Sequence, residues 1–319
     1  MKNNIKLSVA MATYNGAKYI QEQLDSIINQ TLTPDEIVIS DDGSTDGTLA
    51  LVLEYISSHS NIILVHNTNN HGAEGNFSNA FNYCTGDIIF PSDQDDIWAP
   101  NKIEKMLEVF SNDVEIVYAQ DIIFDENGTI GETSWKIPML YKAMWKNTLA
   151  GHACAFRKSI LSNYRPTRKL SWDYEICLYG SVNINKVVGI PDVLVHWRRH
   201  AKALTTHKSN VDSEIPRNKY KKLWYALRNC ASEYSIPFYE YMQARKSFIE
   251  SVGGGKCLTI SLLSIQRPCS LLFASIVFTI EEMKDYHPKS LKDFIGHCLW
   301  AFCYPAVFWC EMHREKWIT

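Results

Sequence analysis

Over its first ninety residues the chain alternates short aliphatic runs with helix-spaced segments, and a polar turn marks each change. Ile5 to Ala12 is rich in aliphatic residues and predicts a buried first strand. Thr13-Tyr14-Asn15-Gly16 breaks that strand, and Tyr19 to Gln30 has helical spacing through Ile20, Leu24, Ile27 and Ile28. Glu36 to Ser40 predicts a second strand, and the turn from Asp41 to Thr48 opens a helix over Leu49 to Ser57. A third strand follows at Asn61 to His66, a helix through Asn76, Phe77, Ala80 and Phe81, and a strand at Ile88 to Phe90. This rhythm predicts an α/β fold with a mostly parallel sheet covered by helices on both faces.

Open sheets of that kind place ligands beyond the carboxyl ends of their strands. The three polar loops Tyr14-Asn15-Gly16, Asp41-Asp42-Gly43 and Asp93-Gln94-Asp95 each follow the last apolar residue of a strand. They therefore converge on one edge although they are far apart in sequence. Asp93, Asp95 and Asp96 put three carboxylates in four positions. Such acids repel one another and are costly to desolvate, and divalent cations that carry phosphates are the usual compensation. Asp42 is placed to accept hydrogen bonds from a base or ribose, and Tyr14 to stack. Glycines 16, 43 and 47 permit tight turns and a close ligand. The competing reading of any single loop is a strand-to-helix turn with capping Asp, Ser or Thr.

Composition narrows the classes. The chain has 319 residues, is 46% hydrophobic and 21% charged, and carries a formal net charge of −3, which argues against broad nucleic-acid binding. Nine cysteines occur without a C-x-x-C pair, so neither a zinc site nor a disulfide framework is expected. Unpaired thiols and a start that enters the first strand without an apolar signal region predict a cytoplasmic protein.

Four segments occur in order: Ala12-Thr13-Tyr14-Asn15-Gly16, Glu22-Gln23-Leu24-Asp25-Ser26-Ile27, Ser40 to Thr48, and Asp93-Gln94-Asp95-Asp96-Ile97-Trp98. Together they resemble family 2 glycosyltransferases, and most closely the bacterial rhamnosyltransferase-like branch of surface polysaccharide assembly. The resemblance runs from the N-terminus to about residue 205. It implies a GT-A fold, a UDP- or dTDP-sugar donor, Mn²⁺ or Mg²⁺ at the D-x-D, and inverting transfer to a glycan or lipid-linked acceptor. Carried over residue by residue, it puts Thr13, Tyr14, Asn15, Asp42, Asn76, Asp93 and Arg198 at the donor nucleotide. The resemblance implies that Asp95, His200 and Asp93 hold the metal, with Asp95 as the direct ligand. It implies that Asp173, in Leu170-Ser171-Trp172-Asp173-Tyr174-Glu175, is the catalytic base. His152 and Trp172 are the expected acceptor contacts. The chain departs from the branch at Trp172, where a His is usual, at Trp197 in place of Tyr, and at Ala203 in place of Asn.

The chemistry asks for the same residue types. Inverting transfer needs a base for the acceptor hydroxyl proton, and a departing nucleoside diphosphate needs cations. Glu175 competes with Asp173 as base. Asp173 as a helix N-cap, His200 as a loop His, Arg198 and Arg199 as surface charges and His152 as a satisfied buried His are the structural alternatives. Two other functions compete: a nucleotide-sugar-binding module without catalysis, and a sugar nucleotidyltransferase.

Residues 1–210 are expected to form the catalytic domain, and residues 211–319 a mainly helical region. The latter interleaves Arg217, Lys219, Lys221, Lys222 and Arg228 with Tyr220, Trp224 and Tyr225, then carries apolar runs at 258–265, 271–280 and 294–310. None has the roughly 20 uninterrupted apolar residues that a spanning helix needs. The runs either pack as an ordinary helical core or make peripheral contact with the inner face of the cell membrane, with Trp300, Trp309 and Trp317 at the boundary.

Overall fold

The computed structural model describes residues 5–133, 135, 149–163, 170–200, 236–255, 262, 268–284, 298 and 301. The chain divides into two compact units, Met1–Pro138 with Asn147–His200, and Met139–Lys146 with Ala201–Thr319.

In the first unit the opening elements follow the hydrophobic pattern. They are β1 (Leu7–Thr13), α1 (Ile20–Ile28), β2 (Glu36–Asp41), α2 (Thr48–Ser58), β3 (Ile62–His66), α3 (Ala73–Tyr83) and β4 (Ile88–Ser92). β2 and β4 are buried at every residue, which is why they are continuous apolar runs instead of alternating ones. α1 buries Ile20, Leu24 and Ile27 along one stripe. Then come β5 (Ile97–Trp98), α4 (Lys102–Glu108), β6 (Ile116–Asp125), β7 (Gly128–Glu132), β8 (Cys154–Arg157), α5 (Trp172–Val182) and β9 (Val187–Arg198).

The strands form one nine-stranded sheet in the order β3-β2-β1-β4-β8-β6-β9-β5, with β7 on β6. β3, β2, β1 and β4 are mutually parallel. The other half is mixed: β8 runs antiparallel to β4 and β6, β9 parallel to β6, and β5 antiparallel to β9. Register aligns the loops. Thr13 pairs with Asp41 and Met11 with Ser92, so β1, β2 and β4 end at nearly the same level.

The opposite edge of the sheet carries a buried acid. Glu36 accepts hydrogen bonds from Ser8 Oγ and from the backbone N–H and hydroxyl of Thr85, with Lys6 Nζ at 3.6 Å. Burial opposes ionisation, but these donors outweigh it and hold the Glu36 carboxyl below its ordinary value. A depressed folded-state pKa means stabilisation that is complete above the unfolded-state value and lost as pH falls through the folded one. Glu36→Gln should therefore cost about 1–2 kcal/mol at pH 7. Thermal melts should show the gap from wild type closing below about pH 4.5, and a gap that persists in acid would contradict this account.

In the second unit, helices Ile236–Ser251 and Pro268–Lys284 are described. Gly253 and Gly255, both with positive φ, follow the first of them. The basic, aromatic segment at 217–228 lies outside the described residues, as do the 258–265 and 294–310 runs apart from residues 262, 298 and 301. Among the described residues, no helix is long and apolar enough to cross a membrane. Cys84 and Cys154 are free, buried thiols.

Candidate active site

The loops after β1, β2 and β4 are stitched into one rim. Asn15, with φ of 47°, donates its N–H to Ser44 Oγ at 2.9 Å and accepts from Thr45 N with its side chain at 2.8 Å. Asp42 N donates to Thr13 O at 3.0 Å. Gln94, the middle residue of the D-x-D, ties the acidic loop to β1. Its Oε1 accepts from Thr13 Oγ1 at 2.6 Å and from Tyr14 N at 3.0 Å, and its Nε2 donates to Tyr14 O at 3.0 Å. Gly16 makes this possible, since a Cβ there would lie 2.1 Å from Gln94 Oε1.

Asp42 accepts from Asn67 Nδ2, Gly72 N and His71 Nδ1 at 2.7–2.8 Å. Its neighbour Asp41 is buried and holds the turn through Gly43 N and Ser44 N. Tyr14 is 55% exposed, leaving its ring open on the rim. Asn76 is buried and donates from Nδ2 to Thr13 O at 3.0 Å.

The acidic loop is met by β8 and β9. His200 Nε2 lies 2.8 Å from Asp95 Oδ2. Arg198 donates its backbone N–H to Asp96 Oδ1 at 3.0 Å and its Nε to Asp95 O at 2.8 Å, and its guanidinium pairs with Glu22. Arg198 also lies over the Tyr19 and Phe124 rings, so it is a braced residue and not a loose surface charge. Burial and the adjacent Asp93 raise the pKa of Asp95 in spite of His200.

His152, in the short 3-10 turn Gly151–Ala153 before β8, is the buried hub. Its Nε2 is 2.8 Å from Asp121 Oδ2, and its Nδ1 faces Asp93 Oδ2 at 3.6 Å and Asp96 Oδ2 at 3.8 Å. Burial opposes protonation of this ring, yet Asp96, Asp121 and Asp93 hold the proton and push its pKa up to about 10. Burial lifts Asp96 to about 8. Lys102, also buried, donates to His152 O at 2.7 Å and sits over the Trp98 ring, and desolvation lowers its pKa to about 7.

Asp173 sits in the first turn of α5, its Oδ1 accepting from Tyr174 N at 2.8 Å. It adjoins the hub: a Cβ on Gly151 would be 3.4 Å from the Asp173 Cβ. Trp172, considered above as an acceptor contact, is only 5% exposed. Its ring packs on Phe77, Phe81 and Phe156, while its backbone N–H donates to Glu74 Oε2 at 2.7 Å.

Contacts thus link Asp42, Thr13, Tyr14, Asn15, Asp93, Asp95, Arg198, His200, His152 and Asp173 along one edge, with Asn76 and Trp172 packed behind it. Glu22, Gln94, Asp96, Lys102 and Asp121 have structural parts in the site that spacing did not assign. Their one sequence signal is a polar side chain within or against an apolar run, as with Asp121 in β6.

A Cβ on Gly151 would come within 2.4 Å of the Trp172 ring. Gly151→Ala should lower stability by about 1–3 kcal/mol through overpacking. Trp172→Phe in the same chain should recover part of that loss in a thermal melt. Equal melting of Gly151→Ala and wild type would contradict the close approach.

The model of glycosyl transferase family 2 matches residues 8–165. A dTDP-rhamnosyl transferase RfbG of Shigella flexneri is 44% identical over 112 residues, covering 32% of this chain and 38% of the relative. The UDP-Glc:alpha-D-GlcNAc-diphosphoundecaprenol beta-1,3-glucosyltransferase WfgD of Escherichia coli is 32% identical over 142 residues, 44% of this chain and 55% of that one. An uncharacterized glycosyltransferase of Nostoc sp. is 29% identical over 210 residues, 61% and 65% of the two chains. The chain therefore spans less than two-thirds of the length of these relatives. The crystal structure of S. aureus TarS 1-349 in complex with UDP-GlcNAc aligns over 98% of this chain and 92% of its own, with TM-score 0.54 and 17% identity, a likeness of fold.

Proposed function

This chain belongs to glycosyl transferase family 2, and we propose that it moves one sugar, with inversion, from a UDP- or dTDP-sugar to a glycan acceptor in bacterial surface polysaccharide synthesis. The observation that carries the reading is the meeting of the β1, β2 and β4 loops at one acidic rim, with Asp173 beside it.

In this reading Tyr14 and Asp42 receive the nucleoside, with Asp42 exchanging its His71 and Gly72 partners for the base or ribose. Thr13, Asn15 and Asn76 set the shape of the β1 loop. Asp95, His200 and Asp93 suit Mn²⁺ or Mg²⁺: they offer carboxylate and imidazole donors, with Asp95 Oδ2 and His200 Nε2 2.8 Å apart. When bound, the ion would carry the diphosphate and offset its charge as it leaves. Arg198, braced on Glu22, positions Asp95 and Asp96 through its own donors. Asp173 accepts the proton of the acceptor hydroxyl as that oxygen attacks the anomeric carbon.

Asp173→Asn and Asp95→Ala should each abolish transfer in a nucleotide-sugar assay while leaving the melting curve close to wild type. Near-normal turnover in Asp173→Asn would remove it as the base. Stabilisation by a panel of nucleotide sugars identifies the donor, because a ligand that binds the native state raises its melting temperature.

The second unit supports a lipid-carried acceptor reached from the inner face of the membrane. On helix Pro268–Lys284, Leu272, Phe273, Ile276 and Ile280 are exposed while Ala274 and Phe278 are buried, giving an outward apolar stripe suited to a membrane interface. The relative WfgD is, by its name, a glucosyltransferase whose acceptor is alpha-D-GlcNAc-diphosphoundecaprenol. Phe273→Glu with Ile276→Glu should reduce co-sedimentation of the full chain with anionic liposomes several-fold. Unchanged pelleting would rule out this stripe as the lipid contact.

A further inference from the structure

We propose that Asp93, Asp96 and His152 form an inner site for a divalent transition-metal cation, oriented by Asp121 and distinct in its nitrogen donor from the Asp95–His200 pair. One ligand atom from each of the three residues lies within 4.8 Å of the others. His152 Nδ1 stands 3.6 and 3.8 Å from the two carboxylate oxygens, too far for hydrogen bonds. Two ligands at about 2.1 Å from one ion stand roughly 3 to 4 Å apart, so these spacings match a shared cation.

A second observation comes from Asp96, which is fully buried. Its Oδ1 accepts from Arg198 N, but its Oδ2 has no hydrogen-bond partner among the described residues and faces His152. Leaving a buried carboxylate oxygen without a partner is costly, and a cation between it and Nδ1 removes the cost.

A third observation is the orientation of the imidazole. Asp121 takes Nε2, leaving Nδ1 as the inward atom, and Asp121 is itself held by Thr133 Oγ1 at 2.6 Å and by Trp135 Nε1. A carboxylate fixing the far nitrogen of a ligating His is a recurrent metal-site arrangement. The Trp197 ring, 5.1 Å from His152, shields one side, while the half-exposed Asp93 side chain leaves an entrance. A site of one imidazole and two carboxylates suits Mn²⁺ better than the all-oxygen sites preferred by Mg²⁺ and Ca²⁺.

The test is MnCl₂ titration of the nucleotide-free full-length chain. Free-ion paramagnetic resonance gives the affinity, and spin-echo modulation reports nitrogen coupled to the bound ion. The expected result is bound Mn²⁺ whose nitrogen coupling survives in His200→Gln and Asp95→Ala and is lost in His152→Gln. Asp121→Asn, which leaves the ligands in place, should weaken binding about 10–100-fold. If His152→Gln fails to fold, Asp121→Asn and the Asp95→Ala spectrum decide. No Mn²⁺ binding without nucleotide, coupling retained in His152→Gln, coupling lost in Asp95→Ala, or unchanged affinity in Asp121→Asn would each overturn the inner site. None of these outcomes depends on sugar transfer, so this proposal and the donor-cation reading fail separately.

Discussion

Four carboxylates crowd into a poorly solvated rim, and much of the first unit exists to make that tolerable. Two like charges about 4 Å apart repel by about 4 kcal/mol at the effective dielectric of a protein surface. Asp93, Asp95, Asp96 and Asp121 therefore need opposite charge and donors close by. They receive these from remote segments: His152 from the turn before β8, His200 and Arg198 from the end of β9, and Lys102 from the start of α4.

This requirement gives the mixed half of the sheet its purpose. The parallel half, β3-β2-β1-β4, is a platform whose strand ends present polar loops at one level. The antiparallel turn-back of β8 against β4 brings Gly151 and His152 to the same edge, and β9 delivers Arg198 and His200 on its way out of the sheet. Gln94 locks the acidic loop to β1, so the acids are held by neutral hydrogen bonds as well as by charge. At the far edge Glu36 is satisfied within β1, β2 and the turn before β4, which keeps that end closed and leaves the carboxyl ends of the strands for chemistry.

Packing fixes the proposed base. Trp172 fills an aromatic pocket made by Phe77, Phe81 and Phe156, and that anchor sets the first turn of α5 against Gly151. Trp172, one of the residues that depart from the family pattern, thus has a structural task. It orders the backbone that carries Asp173 instead of offering a polar group to a ligand.

The alternation of apolar runs and helical spacing was enough to read four strands, three helices and the edge where their loops meet, because burial of β1, β2 and β4 leaves a direct mark on residue type. Asp42, Asp93 and Asp95 were legible for the same local reason: acids directly after apolar strands. β5 to β7 and β9 left a weaker mark, since they are short, partly exposed or irregular. The role of Trp172 was hidden, because a tryptophan beside an acid looks alike whether it faces a ligand or a core. Asp96, Asp121 and His152 are widely separated in the chain, and none announces the others. Only folding brings the three together, since burial and long-range electrostatics depend on which strands end up adjacent, and that order is a property of the tertiary structure.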